Sequence, residues 1–329
     1  MIVFVDDDVV FEALSSENFF ALHALFSFGK SGKHILIGDF EPWFSLLDQI
    51  TATGYKSIVE NSIRLYTTYP ANAAGVRIKL NSTQLWNDPI AELSLENGLR
   101  LLQEPLGLFF ENSTNDWHFL RKLVTQPERE KLDTGVANGW IVILHGGGSD
   151  IVQNIANRAV QGYTALRTFA LFDSDRHHQD ELDQAWHPIN NIQCQGYKNE
   201  MAAISHLGKR YWRLNRRFIE SYMPKAQLFK YEQENANVKS GITEAYFRMD
   251  KNSRWFYNMK DGLSNQKNHA LSRQQNLYSS LTVQDANLLH NGYGSGLGST
   301  YVSSNDTFSW DSDALSEASR ELPKLLRLI

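Results

Sequence analysis

Short apolar runs that end in polar residues recur along this chain, and each run of this kind predicts a β-strand. Two such runs, Ile2–Val5 and Ile35–Ile37, lie in the first hundred residues. Between and after them the apolar spacing becomes helical, and the residues at 43, 46, 47 and 50 predict a helix over residues 43–50. Residues 1–100 are therefore expected to form an α+β unit, whose role the pattern does not indicate.

From about residue 105 the pattern becomes a regular alternation of strand and helix. Strands are predicted at residues 106–110, 140–144, 166–172 and 210–214, and helices at residues 116–125, 150–161 and 198–207, the second of them ending at Gly162. Such alternation is typical of β-α units around a mainly parallel sheet. The predicted fold class is α/β, and residues 101–235 are expected to form its central domain.

The remaining residues, 236–329, are predicted to be a mostly helical C-terminal extension. A Gly/Ser/Asn-rich stretch at 291–305 indicates an irregular loop. The leucine-rich stretch at 314–329 indicates a helix that Pro323 breaks or kinks.

Composition excludes several classes of protein. Apolar residues make up 42% of the 329 and charged residues 21%, which is typical of a globular chain. The net charge of −5 provides no overall positive field for nucleic acid, so such binding would need a local patch. Cys194 is the single cysteine, which excludes a disulfide framework. Without an apolar run of membrane-spanning length or a basic leader, the chain is expected to be cytoplasmic, with no membrane association.

Acidic residues follow two of the predicted central strands directly. Glu111 comes after the first, and Asp173 and Asp175 come after the third. Ligands bind beyond the carboxyl ends of strands in parallel sheets, so these acids are candidates for one site. A cluster of oxygen ligands without cysteine suits Mg²⁺ or Mn²⁺. The alternative is that the acids only cap helices or form turns.

The order of these features resembles the TOPRIM domain, and most of all the TOPRIM nucleases of the OLD-like family and their antiphage relatives, as in PARIS-like systems. Glu111 matches the glutamate of the family's first motif, whereas Asn112 replaces a glycine. The motif's second acid is either shifted by one position to Asp116 or lost at Asn115. The resemblance implies that Glu111, Asp173, Asp175 and Asp116 bind the metal.

Two further segments are similar to motifs of this group. The sequence RRFIESYMP at residues 216–224 matches a signature whose glutamate is Glu220, a further catalytic candidate. The sequence MKDG at residues 259–262 resembles a segment whose lysine, here Lys260, assists the chemistry. The GGGS turn after the second strand includes Gly147 and Gly148, which are expected to let a nucleic-acid backbone approach.

The resemblance implies a Mg²⁺- or Mn²⁺-dependent nuclease that cuts DNA or RNA in antiphage defence. Relatives often work with an ABC-type ATPase, and this chain has no P-loop, because GKSGK at residues 29–33 lacks the Walker spacing. A separate ATPase subunit is therefore expected, and a homo-oligomer is compatible with this interpretation. The alternative is a non-catalytic assembly subunit with a degenerate site, which Asn112 and Asn115 favour. A third hypothesis is that the protein carries out DNA strand passage or primer synthesis, but no accompanying motif supports it.

A basic run provides the candidate nucleic-acid contact. Five cations fall within nine residues, interleaved with Tyr211 and Trp212: Lys209, Arg210, Arg213, Arg216 and Arg217. Cations neutralise phosphates and aromatic rings stack on bases. The alternative is a solvated strand edge in which Arg216 or Arg217 pairs with Glu220.

The N-terminal acids allow two interpretations. Asp6, Asp7 and Asp8 follow one predicted strand and Asp39 follows another. They could form a second metal site of the PIN-nuclease type, but isolated carboxylate runs are usually solvated. The favoured expectation is a negatively charged turn surface.

Overall fold

A computed structural model of the chain describes residues 1–68, 73–81, 83–147, 150–188, 194–264 and 277–329. Within this part of the chain, two sheets of four strands are flanked by helices, and all neighbouring strands are parallel. The predicted α/β class is confirmed.

The N-terminal sheet has the strand order β2-β1-β3-β4. Its strands are β1 (Ile2–Val5), β2 (Ile35–Ile37), β3 (Gly75–Ile78) and β4 (Ile90–Leu93). Five helices accompany it: α1 (Asp7–Ala13), α2 (Asn18–Lys30), α3 (Glu41–Phe44), α4 (Gln49–Tyr66) and α5 (Leu95–Gln103).

The helix predicted over residues 43–50 is wrong. The structure divides this stretch between α3 and α4, because Asp48 has an extended backbone and its side chain accepts a hydrogen bond from the Thr51 N–H. This contact caps a new helix. Ile50, assigned to the buried face of the predicted helix, is 86% exposed.

The second sheet has the order β6-β5-β7-β8. Its strands are β5 (Leu106–Phe110), β6 (Ile141–His145), β7 (Thr168–Phe172) and β8 (Tyr211–Arg213), so all four predicted strands are confirmed within a few residues. The helices of this part are α6 (Asn115–Leu123), α7 (Gln126–Ala137), α8 (Ile151–Arg158), α9 (Gly162–Leu166) and α10 (Gln195–Leu207). Every residue of the two central strands is buried, as expected for parallel strands covered on both faces.

Two helix ends in this part differ from the sequence prediction. The helix predicted to reach residue 125 ends at Leu123, because Thr125 and Glu128 form a capping box that begins α7. Gly162, predicted to end a helix, begins α9 instead. A Cβ atom there would lie 2.3 Å from the Trp86 ring, so this glycine is needed for close packing.

Beyond β8 the chain is mostly helical, as predicted. The helices described there are α11 (Lys225–Glu234), α12 (Ile242–Arg248), α13 (Lys251–Phe256), Val283–Leu288, Thr300–Ser303 and Ser312–Leu326, with 3-10 turns at Ile219–Tyr222 and Leu297–Ser299. The stretch at 291–305 therefore contains helical turns, although its Gly/Ser/Asn-rich sequence indicated an irregular loop. A further 3-10 turn, Gln179–Leu182, lies between β7 and α10.

Of the break or kink expected at Pro323, the break is wrong, since the helix Ser312–Leu326 continues through this residue, and the kink stays a prediction. Proline leaves the carbonyl of the residue four positions earlier without an N–H donor. That residue, Ser319, is exposed, so water can satisfy its carbonyl and the helix continues.

A single cluster of buried apolar side chains connects the predicted segments. It includes Val3 of the N-terminal sheet, Leu120 of α6 and Leu322 of the last helix. The segments 1–100, 101–235 and 236–329 thus pack together, and their boundaries as domains stay a prediction. None of the helices in the described part has the length and apolarity needed to cross a membrane.

Candidate active site

The structure brings the predicted acids to one edge of the second sheet. Strands β5 and β7 are neighbours, and Phe110 is level with Leu171. Glu111 therefore leaves β5 next to the point where Asp173 leaves β7. Asp175 follows with a φ of 50°, an uncommon value for a residue other than glycine, which turns the chain away from the sheet. Glu111, Asp173 and Asp175 are all partly exposed.

Asp116 joins this cluster from the first turn of α6. Its Oδ2 accepts a hydrogen bond of 2.9 Å from the Asn112 N–H, and Asn112 Oδ1 accepts from the Thr114 and Asn115 N–H groups. The turn that begins α6 thus holds the buried carboxylate of Asp116 beside Glu111. Asn112, which departs from the family motif, has a local structural function here.

Neighbouring N–H groups orient the other three carboxylates. The Ile219 N–H donates to Asp173 Oδ1 at 2.9 Å, and the Gly196 N–H donates to Asp175 Oδ2 at 2.9 Å. The side-chain amide of the buried Asn199 donates to Glu111 Oε1 at 2.6 Å. Each carboxylate is held through one oxygen, so a bound ion would use the other.

Glu220 and Lys260 complete the cluster. Glu220 is 2% exposed, and its Oε2 has no hydrogen-bond partner in the described part of the chain. Its Oε1 lies 3.6 Å from Lys260 Nζ. Gly298 packs against this carboxylate, because a Cβ there would lie 2.8 Å from Glu220 Oε1. The C-terminal extension therefore contributes Lys260 and Gly298 to this cluster.

The loop that carries Lys260 packs closely against a second loop at two glycines, Gly262 and Gly292. Gly292 has a φ of 66°, and a Cβ on it would lie 2.7 Å from the Gly262 backbone nitrogen. The Tyr293 N–H donates to Met259 O at 2.7 Å, and the Gly294 N–H donates to Lys260 O at 3.0 Å. This backbone contact between two loops fixes the position of Lys260.

The cluster contains several carboxylates that are close together and poorly solvated, and both conditions disfavour their charged forms. Burial, with repulsion from Asp175 and Asp116, raises the pKa of Glu111 well above its ordinary value. Burial, with repulsion from Glu111 and Glu220 among others, likewise raises the pKa of Asp173. Burial raises the pKa of Asp175 as well, although Arg217 and the Gly196 N–H oppose the shift.

Lys260 is a cation that interacts with several of these acids. Burial alone would lower its pKa, but attraction to Glu220, Asp173, Asp175 and Glu111 raises the pKa above its ordinary value. Lys260 is therefore a charged ammonium at neutral pH. This positive charge only partly compensates for five carboxylates.

The donor set fits a hard divalent cation in its chemistry, since all candidate ligands are carboxylate oxygens and one buried oxygen has no partner. In the part of the chain that the structure describes, however, no three acidic, histidine or cysteine side chains form a ready ligand set.

The glycine-rich turn follows β6 at the same edge of the sheet. His145, the last residue of β6, is level with Phe110, and the Gly146 N–H donates to Phe110 O at 2.6 Å. Gly147 has a φ of 64°, which glycine adopts without strain. Gly148 lies outside the described residues. The expected contact of this turn with nucleic acid stays a prediction.

The prediction of an exposed basic surface is wrong for most of the residues assigned to it. Arg210 is 6% exposed and lies 3.3 Å from Asp88, and Arg213 contacts the buried carboxylate of Glu200 at 2.8 Å. Arg216 is 4% exposed and donates two hydrogen bonds to Asp311. These arginines bind internal partners, because β8 is covered by α10 and the C-terminal helix.

Of the same run, Arg217 and Lys209 differ from the others. Arg217 is buried, donates to Phe256 O at 3.3 Å and lies near enough to Asp175 to lower the pKa of that carboxyl. It is therefore a counter-charge at the site rather than a surface group. Lys209 is exposed and is the one residue of the predicted surface that remains accessible.

The N-terminal acids show the favoured arrangement. Asp6 pairs with Arg77 at 3.2 Å, Asp7 and Asp8 lie exposed in the first turn of α1, and Asp39 accepts a hydrogen bond from the Glu41 N–H. Acids in a first helical turn interact favourably with the helix dipole. This arrangement accounts for these acids without a second metal site.

Sequence reasoning missed Asn199, Gly196 and Gly298. Gly196 lies in the first turn of α10 and Asn199 at the start of the second, and Gly298 lies in a 3-10 turn far along the chain. A polar residue on the buried side of a predicted helix was the available signal for Asn199. No local signal indicates Gly298, because its partner Glu220 is distant in sequence.

Comparison with known proteins gives no match: no family model, no curated protein and no solved structure matches this chain.

Proposed function

We propose that this chain is a metal-dependent phosphodiesterase that cuts nucleic acid, with Glu111, Asp173 and Asp175 as the principal ligands of Mg²⁺ or Mn²⁺. The observation that carries the proposal is the convergence of five carboxylates and one lysine at the carboxyl edge of a parallel sheet. Such an edge is where ligands bind in open α/β sheets. A divalent cation would favour the charged forms of these carboxylates, whose pKa values are raised by burial and, for Glu111 and Asp173, also by mutual repulsion.

Each residue has a distinct part in the proposed chemistry. When bound, a divalent cation activates a coordinated water and neutralises phosphate charge. The partly exposed Glu111, Asp173 and Asp175 would hold this cation. The buried Asp116 and Glu220 are further acids of the same cluster. The charged Lys260 ammonium, fixed by the two glycines, would offset the negative charge that develops on the phosphate.

The resemblance to TOPRIM nucleases supports this proposal and extends it. It suggests action in antiphage defence, a cytoplasmic location and control by a separate ABC-type ATPase. These extensions depend on the resemblance alone, whereas the metal site also depends on the geometry.

The alternative is a non-catalytic assembly subunit whose site no longer binds metal. One specific observation favours it: among the described residues no three candidate ligands are prearranged for an ion. The two functions differ in whether the cluster binds Mn²⁺ at all.

The test is to incubate the purified chain with plasmid, single-stranded DNA and total RNA in the presence of Mn²⁺ or Mg²⁺. We expect cleavage of at least one substrate and a loss of about 100-fold or more in Glu111→Gln and Asp173→Asn, the magnitude typical of lost transition-state charge stabilisation. Calorimetric titration with Mn²⁺ should lose its binding signal in the same variants.

The matched control is Asp8→Asn, an isosteric change of an exposed carboxylate that also follows a strand but lies outside the cluster. It should leave cleavage and Mn²⁺ binding unchanged. Equal cleavage by wild type and Asp173→Asn would contradict the proposal. Absence of both cleavage and Mn²⁺ binding would instead favour the assembly subunit.

A further inference from the structure

A cavity of about 270 Å³ lies beside the acidic cluster but is separate from it. The 3-10 turn Ile219–Tyr222 lies between the two, since Glu220 belongs to the cluster and Ser221 lines the cavity. None of the proposed metal ligands lines this cavity.

The cavity is lined by more cations than carboxylates. Four cations line it, and they are Arg216, Lys225, Lys251 and Arg254. The carboxylates among the lining residues are Asp311 and Asp313, which pair with Arg216 at 2.6 Å and with Lys251 at 2.7 Å. Lys225 pairs with Glu244, outside the lining, whereas Arg254 donates to the carbonyl of Phe247 at 3.3 Å. The lining therefore has an excess of positive charge suited to an anion.

Two aromatic rings hold these cations in place. Lys251 Nζ lies 4.7 Å and the Arg216 guanidinium 5.2 Å from the centre of the Trp255 ring. The Phe247 ring has Lys225 Nζ at 5.4 Å and the Arg254 guanidinium at 5.3 Å. Cation–π contacts orient the cations without neutralising them. Both rings are only partly buried, so they also offer apolar surface to a planar ligand.

Two buried polar groups of the lining have no partner. Arg216 Nε and Ser221 Oγ make no hydrogen bond in the described part of the chain, and their residues are 4% and 3% exposed. Buried donors are rarely left without an acceptor in native proteins. Both residues line the cavity, so its wall contains polar groups that the protein itself does not satisfy.

We propose that this cavity binds a nucleoside monophosphate. The phosphate would be held by Lys251, Arg254 and Lys225, and the base would lie against Trp255 or Phe247. The cavity volume of about 270 Å³ is just below the roughly 300–1,000 Å³ that is usual for ligand pockets, so the occupant is at most a single nucleotide and not a longer strand. Because Ser221 is adjacent to Glu220, an occupant of the cavity would contact the same turn that carries an acid of the cluster.

The test is calorimetric titration of the full chain, in EDTA, with three separate ligands: adenosine 5′-monophosphate, inorganic phosphate and adenosine. EDTA makes the measurement independent of the proposed metal site, so the two proposals can fail separately. We expect saturable binding of the nucleotide, binding of phosphate at least about tenfold weaker, and no binding of adenosine, because charge and ring contacts are both required.

Lys251→Gln and Arg254→Gln should each weaken nucleotide binding by about tenfold. The matched control is Lys230→Gln, because Lys230 is also about half exposed and pairs with an aspartate, Asp306, at 3.1 Å, but lies outside the cavity. The proposal is overturned if the nucleotide does not bind, if phosphate alone binds equally well, or if both cavity variants bind it as tightly as wild type.

Discussion

Asp116 illustrates how one carboxylate responds to opposing neighbours. Burial raises its pKa to about 7, repulsion from Glu220 acts in the same direction, and the Asn112 N–H and Lys260 oppose the shift. Near neutral pH this group is therefore divided between its two protonation states. As a consequence, the free energy of unfolding of the metal-free protein should fall as the pH rises, which is opposite to the usual effect of a carboxylate whose pKa is lowered by folding.

Between pH 4 and pH 7 the metal-free protein should become less stable as the pH rises. The unfolded Asp116 carboxyl loses its proton near pH 4 and the folded one near pH 7, so the folded state binds the extra proton between these values. The expected loss from this group is on the order of 2–4 kcal/mol, since one pKa unit corresponds to about 1.4 kcal/mol. Urea unfolding at a series of pH values measures it.

Asp116→Asn removes this titration and should make the profile less steep, although Glu111, Asp173 and Asp175 still contribute in the same direction, whereas Asp8→Asn should retain the full slope. Mn²⁺ should stabilise the wild type more at pH 7 than at pH 5, because an ion binds the deprotonated carboxylates. Stability that rises between pH 4 and pH 7 in the wild type but not in Asp116→Asn would contradict this account of the site.

At the scale of single residues, the sequence predicted which three acids follow the strands, but not which groups surround them. Glu111, Asp173 and Asp175 stand directly after apolar runs, and the position of a strand's end is a local property of the sequence. Arg213 and Arg216 look like surface cations by composition. Their burial depends on Glu200 and Asp311, which approach only in the folded chain.

At the scale of elements, helix α10 supports the site through its first two turns. The Gly196 N–H binds Asp175, and the Asn199 side chain, three residues later and one turn along the helix, binds Glu111. The helix begins so close to the end of β7 that a Cβ on Gly196 would lie 2.1 Å from Ser174 O. The approach of this helix to the sheet thus depends on one glycine.

Gly196→Ala should lower the free energy of unfolding by about 1–3 kcal/mol, the usual cost of overpacking, and should displace the N–H that binds Asp175. Gly54→Ala is the control, because Gly54 lies within α4 and a Cβ there meets nothing within 4 Å. That change should instead stabilise the protein by about 1 kcal/mol. Urea unfolding compares the two, and equal effects would contradict the assigned contact.

The existence of α10 could be predicted from its pattern, but the contact could not. Predicted and observed boundaries differ by three residues, and those three residues include Gly196. The same limit applies to α3 and α4, where the Asp48 cap interrupted an apolar spacing that suggested one helix.

At the scale of the molecule, the C-terminal helix Ser312–Leu326 joins the second sheet through Glu317. This buried carboxylate accepts hydrogen bonds from Trp212 Nε1 at 2.9 Å, from the Asn215 N–H at 2.9 Å and from the Tyr222 hydroxyl at 2.7 Å. Tyr222 belongs to the same 3-10 turn as Glu220. The last helix is therefore connected to the acidic cluster and to the adjacent cavity.

Glu317→Ala should destabilise the protein by about 3 kcal/mol or more, because each buried donor left without an acceptor costs about 1–3 kcal/mol. Leu315→Ala, in the same helix but 49% exposed, should change stability by less than about 0.5 kcal/mol. Thermal unfolding distinguishes them. A similar shift for both variants would mean that Glu317 is not the connecting residue.

The sequence by itself determined the α/β class, the strands of the second sheet and the three acids after them. The first two predictions follow from apolar periodicity, which is a local property of the sequence. The third follows from the topological rule that the carboxyl ends of parallel strands lie at one edge of the sheet. Only the tertiary structure decided which cations are buried and which N–H groups bind each carboxylate. It also decided that Lys260, Glu220 and Gly298 meet, because such contacts join residues far apart in sequence through close packing of side chains, which no local pattern encodes.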